Sequence, residues 1–197
     1  MRGIAGVALT LALITVTAGC GDDRPSLDLS EGSKVVLVGD SILHQSTDEV
    51  RFVLTQDSLQ PIVHGVPGAA VEGAPLVNWH DVVAQLVAAD DPAAVVVELG
   101  TNGCGFCPSM REAIDAVMEA AKDVPHVLWI DARSDGPVPD DPDAVNEAIR
   151  DAADRWDNLT VVDFDELVGD DDIAYDRVHL SDKGQVHFAE SLGAVLT

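Results

Sequence analysis

From Lys34 onward, short apolar runs alternate with longer amphipathic stretches to the end of the chain, and this pattern constrains the fold more than any other feature. The strand candidates are 34–38, 60–64, 93–99, 126–130 and 159–163. Most are unbroken apolar runs, as expected of strands buried on both faces. The helical candidates between them are 42–56, 75–89, 109–122 and 142–156. A last one over 181–195 opens on Ser181 as its N-cap. Strand–helix alternation along the whole length predicts a parallel sheet covered by helices on both sides. At 197 residues the chain suits one such domain. Only 4% of residues are aromatic, so the core must be built from Val, Ala, Leu and Ile, with Trp79, Trp129 and Trp156 as core or pocket wall.

Ligands of parallel sheets bind beyond the C-terminal ends of the strands. Three polar clusters fall there: Gly39-Asp40-Ser41, Gly65-Val66-Pro67-Gly68 and Gly100-Thr101-Asn102. A fourth, "YDRVHLSDKG", carries Asp176 and His179 just before the last helix. A Ser hydroxyl is a poor nucleophile until a neighbouring base takes its proton. His179 can be that base, since imidazole titrates near neutrality. Asp176, three residues earlier, can accept the other ring N–H and stabilise the imidazolium. Asp40 is expected to brace its turn, and Gly39 and Gly100 to permit tight turns. His44, His64, His80, His126 and His187 are assigned to the surface or to helix packing. The acidic run 163–172 lacks the spacing of an EF-hand loop and is expected to be a solvated loop.

Eleven basic against thirty-five acidic residues give a formal charge of −24. That balance leaves no footprint for nucleic acid and no basic helix for an anionic membrane. A solvated acidic surface accounts for it; adaptation to high salt is the alternative, suggested by many Asp and few Lys.

The N-terminus is excluded from the fold. Met1-Arg2, an apolar run and small residues before a polar break describe a secretory signal over 1–19. "TAGC" resembles a lipobox, which would acylate Cys20, although Thr17 replaces the usual Leu or Val. An ordinary cleaved signal with a chance Cys is the alternative. Residues 20–33 then read as a polar tether. With Cys20 lipidated, Cys104 and Cys107 remain as a pair in "CGFC". The spacing suits redox chemistry or half a zinc site, but no second CxxC completes the latter. Outside the cytoplasm a disulfide closing a tiny rigid loop is expected.

Ser41, Gly68, Asn102 and His179, in that order and each in its own block, resemble the SGNH (GDSL-type) hydrolase family over residues 34–197. The resemblance implies a three-layer α/β/α sandwich with a five-stranded parallel sheet, flavodoxin-like. It implies Ser41 as nucleophile with His179 and Asp176. It assigns the oxyanion hole to the backbone N–H groups of Ser41 and Gly68 and the amide of Asn102. Chemistry agrees: Ser41 opens a helix, Gly68 admits close approach, and Asn102 offers uncharged donors. Members often carry Asp directly after the Asn; here Gly103 follows. The expectation is an exported, lipid-anchored serine esterase without metal or organic cofactor. Its substrate would be a short-chain ester or an O-acylated envelope glycan or lipid. An O-acyltransferase with the same residues and a non-catalytic envelope-binding lipoprotein are the alternatives.

Overall fold

The computed structural model describes residues 26–73, 77–135 and 140–197, so the segment 1–19 and Cys20 lie outside the described residues. Among the described residues five strands and seven helices follow one another in the order β1 (Lys34–Gly39), α1 (Ser41–Gln45), α2 (Thr47–Gln56), β2 (Gln60–Gly65), α3 (Trp79–Asp90), β3 (Ala94–Glu98), α4 (Met110–Ala120), β4 (His126–Ile130), α5 (Pro142–Ala153), β5 (Leu159–Val162), α6 (Phe164–Leu167) and α7 (Asp182–Leu196). The sheet order is β2-β1-β3-β4-β5, and every neighbouring pair is parallel. Chain order reverses between β1 and β3, which makes that gap the topological switch point where such sheets bind ligands.

Two apolar layers sandwich the sheet. Val35 and Leu37 of β1 face one layer with α1, α2, α6 and α7, where Leu54, Phe164, Phe188 and Leu192 are buried. Val36 and Val38 face the other layer with α3, α4 and α5, where Trp79, Ile114, Val117 and Ile149 are buried. Alternate side chains of a strand point to opposite faces, so an unbroken valine run fills both layers. Trp129 is fully buried, and its Nε1–H donates to the Leu99 carbonyl at 2.9 Å. Trp156, half-buried at the edge of that layer, donates to Asp115.

Three departures from expectation have identifiable physical causes. The first helical stretch is two helices rather than one. At the junction Ser46 Oγ–H donates to the Ile42 carbonyl at 2.9 Å and Thr47 Oγ1–H to that of Leu43 at 3.1 Å. Such back-bonding competes with the helix ladder and bends it. The 163–172 run is no solvated loop: it forms α6 and a 3-10 turn at Asp170–Asp172, with Phe164, Leu167 and Asp172 buried. Finally, residues 27–33 do not hang free as tether. Leu27 and Leu29 pack on the core and donate their N–H groups to the carbonyls of Val195 and Leu196, each at 2.9 Å. They thereby satisfy orphan acceptors at the C-terminus of α7.

Candidate active site

Ser41 starts α1 directly at the C-terminal edge of β1. The turn is held by Asp40, whose Oδ1 accepts the Ile42 N–H at 2.9 Å as an N-cap. Gly39 is needed for room rather than for an unusual dihedral. A Cβ there would stand 2.7 Å from Leu43 Cβ and 2.8 Å from Glu98 Oε2, closer than real carbons approach. The second cluster is tied to the first by the Val66 N–H donating to the Gly39 carbonyl at 2.9 Å. Gly68 sits at φ +76°, in the left-handed region that favours glycine. The third cluster turns at Gly100, and the Gly103 N–H closes the turn on the Gly100 carbonyl at 2.8 Å, leaving Asn102 at its tip.

His179 comes from the loop between the 3-10 turn and α7. Its Nε2 lies 2.9 Å from Ser41 Oγ, and its Nδ1 lies 2.7 Å from Asp176 Oδ2. The hydroxyl, imidazole and carboxylate expected to meet therefore form one hydrogen-bonded chain. Asp176 Oδ1 also accepts the N–H groups of Val178 and His179, each at 3.0 Å. The His179 ring first, and then these two N–H groups, hold the Asp176 carboxyl down at about 2.

The loop is fixed from below by residues that gave no signal in sequence. Asp172 Oδ2 lies 2.6 Å from His187 Nδ1 and accepts the Gly169 N–H at 3.0 Å, while its Oδ1 accepts from Lys183 at 2.9 Å. Burial pushes the Asp172 pKa up, but these partners outweigh it and hold it well below the usual carboxylate range. His187 is thus a helix-surface residue with a partner. Arg133, nearly buried, pairs with Asp135 at 2.7 Å and Asp170 at 2.9 Å and donates to the Arg177 carbonyl at 3.4 Å, inside the His179 loop. His187 lies one helical turn after Lys183, and only the fold shows that both face one carboxylate.

Asn102 is the residue whose placement adds most. Its Nδ2 donates to Asp40 Oδ2 at 2.9 Å and to the Ala69 carbonyl at 3.1 Å. The amide nitrogen is therefore held by two acceptors from two other segments of the chain. Gly103, where an Asp was the family pattern, has φ +69°, and a Cβ would run into the Asp140 carboxylate. A carboxylate does stand at this spot, but it reaches in from Asp140 and accepts the Cys104 N–H at 3.1 Å. Cys104 and Cys107 form the expected disulfide, beside a cavity of about 400 Å³ lined in part by Met110, Ala144 and Val145. Phe106 inside the disulfide loop and Tyr175 beside Asp176 are exposed. Among the described residues no helix is long and apolar enough to cross a membrane.

Solved structures share this architecture. The chain is similar to LAE5, an α/β hydrolase enzyme from the metagenome of Lake Arreo, Spain. The identity is 17% and the TM-score 0.60, over 85% of this chain and 96% of that one. It is similar to the C-terminal catalytic domain of Streptococcus pneumoniae peptidoglycan O-acetyltransferase A (13%, TM-score 0.57, 84% and 93%). A member of the lipolytic G-D-S-L family from Veillonella parvula DSM 2008 matches at 17% identity and TM-score 0.57, over 80% and 94%. No curated protein sequence matches the chain. At such identities the likeness is one of fold, whereas the sequence profile of the GDSL-like lipase/acylhydrolase family matches residues 37–186 directly. That span begins inside β1 and ends inside α7, so it takes in every one of the four clusters: the chain belongs to the GDSL-like lipase/acylhydrolase family and is an enzyme of the SGNH type.

Proposed function

We propose that the protein is a serine esterase that cleaves short-chain O-acyl esters through an acyl-Ser41 intermediate. The observation that carries this reading is the chain Ser41–His179–Asp176, with 2.9 and 2.7 Å between successive partners. His179 Nε2 takes the proton of Ser41 Oγ as that oxygen bonds the ester carbonyl carbon. The carbonyl oxygen becomes an oxyanion, for which the N–H groups of Ser41 and Gly68 and the Asn102 amide are the donors. His179 then gives its proton to the departing alkoxide, and the C–O bond of the ester breaks. Water, deprotonated by the same imidazole, releases the acid and restores Ser41. The export signal, Cys20 lipidation and envelope location remain part of the proposal, resting on the N-terminal sequence.

A second reading replaces water by a glycan hydroxyl, so that the acyl group is transferred. Its support is the likeness in fold to a peptidoglycan O-acetyltransferase catalytic domain. One experiment separates the readings and tests both: incubate the protein with p-nitrophenyl acetate, with and without acceptor glycan, and follow free acetate and acetylated glycan. Free acetate from wild type and none from Ser41→Ala supports hydrolysis; acyl groups moving to the glycan support transfer. No turnover of any model ester, together with a fluorophosphonate that leaves Ser41 unmodified, overturns the acyl-serine reading and moves a binding role to first place.

A further inference from the structure

The mechanism above leaves two carboxyl groups unused, and both lie beneath Ser41. Asp40 is 0% exposed and Glu98, the last residue of β3, 3%. Glu98 Oε2 accepts the N–H groups of Asp40 and Leu43, each at 3.2 Å, and so holds the first turn of α1. Asp40 Oδ2 accepts the Asn102 amide. The two buried carboxyls are adjacent, since Glu98 Oε2 accepts the backbone N–H of Asp40 itself. Among the described residues Glu98 accepts only these backbone N–H groups, and two adjacent buried carboxyls do not both ionise. The groups facing Asp40 are Glu98 from β3, His179 from the loop before α7, the Asn102 amide and the Ile42 N–H of α1. Those facing Glu98 are Asp40 and the two backbone N–H groups.

We propose that Glu98 and Asp40 share one proton and act as a positioning unit, in which neutral Glu98 lets Asp40 alone carry charge and aim Asn102 at the forming oxyanion. The kinetic consequence rests on the acyl-serine reading; the proton belongs to the resting protein. Burial, and then the Asp40 charge, push Glu98 well above the usual carboxylate range. Burial, opposed by the Ile42 N–H, lifts Asp40 to about 6. The working form is therefore singly protonated and bounded on both sides. Below it, protonated Asp40 loses its grip on Asn102. Above it, a second negative charge stands under the place where the oxyanion forms.

Infrared spectra of the whole protein at about pH 8, where ordinary carboxyls are ionised, should show a protonated-carboxyl band that Glu98→Gln removes. In p-nitrophenyl acetate hydrolysis, wild-type kcat should fall on the alkaline side as that band disappears. Glu98→Gln, which keeps an acceptor oxygen and a donor, should retain kcat within about tenfold and lose the alkaline fall. Glu98→Leu should lower kcat about 100-fold with KM nearly unmoved; if it does not fold, Glu98→Gln still decides. Absence of the band, its survival in Glu98→Gln, or an alkaline profile that is flat in wild type or the same in both proteins overturns the proposal. If wild type turns over no ester and a fluorophosphonate leaves Ser41 unmodified, the acyl-serine reading fails, while the band still decides the shared proton.

Discussion

Asn102 shows how a residue chosen for one role can hold two. The amide was legible as an expected oxyanion donor through the family resemblance. Its engagement with Asp40 and Ala69 was not, because both acceptors lie more than thirty residues away and only the sheet order brings them near. Removing the side chain therefore does more than delete one donor. Asn102→Ala should lower kcat by about 3 kcal/mol of transition-state stabilisation, on the order of 100-fold. It should also cost about 1 kcal/mol of stability, since two acceptors lose their donor. Kinetics and a denaturant midpoint check both; an unchanged midpoint would return Asn102 to a purely catalytic part. Glu98 was readable in principle. A lone carboxylate closing the run "AVVVE" is a buried polar group, and such groups are the informative exceptions in a core strand.

At the scale of elements, strand positions followed from the sequence to within a residue or so, because unbroken Val-rich runs have few other uses in a chain with this rhythm. The helix α7 and its N-cap Ser181 were also legible; its side chain accepts the Gly184 N–H at 3.1 Å. The split between α1 and α2 had a local cause, but for the acidic run the winning interaction was tertiary. The acidic run around Asp172 carries the composition of a loop, and its burial depends on Lys183 and His187 arriving from α7. Gly184 marks this joint. In a solvated helix Gly→Ala stabilises by about 1 kcal/mol. Here a Cβ would run into the carbonyl oxygen of Asp172. Gly184→Ala is thus expected to destabilise by about 2 kcal/mol and to lower kcat by displacing the His179 loop. A thermal melt and an ester assay check it, and a gain in stability would show that the joint gives way freely.

For the whole molecule, the order β2-β1-β3-β4-β5 puts residues 41, 68, 102 and 179 at one edge, which is why a local pattern could announce a global site. The excess of acid has its own consequence. Like charges spread over one surface oppose the compact state, and salt screens them over about 10 Å at 0.1 M. Raising salt from about 0.05 to about 0.5 M should lift Tm by several degrees, with kcat for a neutral ester nearly unmoved. A Tm that stays level would mean the carboxylates are already balanced by local partners.

The docked arm of Leu27 and Leu29 fixes where the chain enters the domain. It leaves beside the last turn of α7, whereas His179 stands just before the first, and fifteen residues of helix separate the two by about 22 Å. An acyl anchor at Cys20, six residues before Ser26, would reach at most about 20 Å further. Were Cys20 acylated as proposed, the end of α7 away from Ser41 would be the part of the domain tethered nearest the anchor.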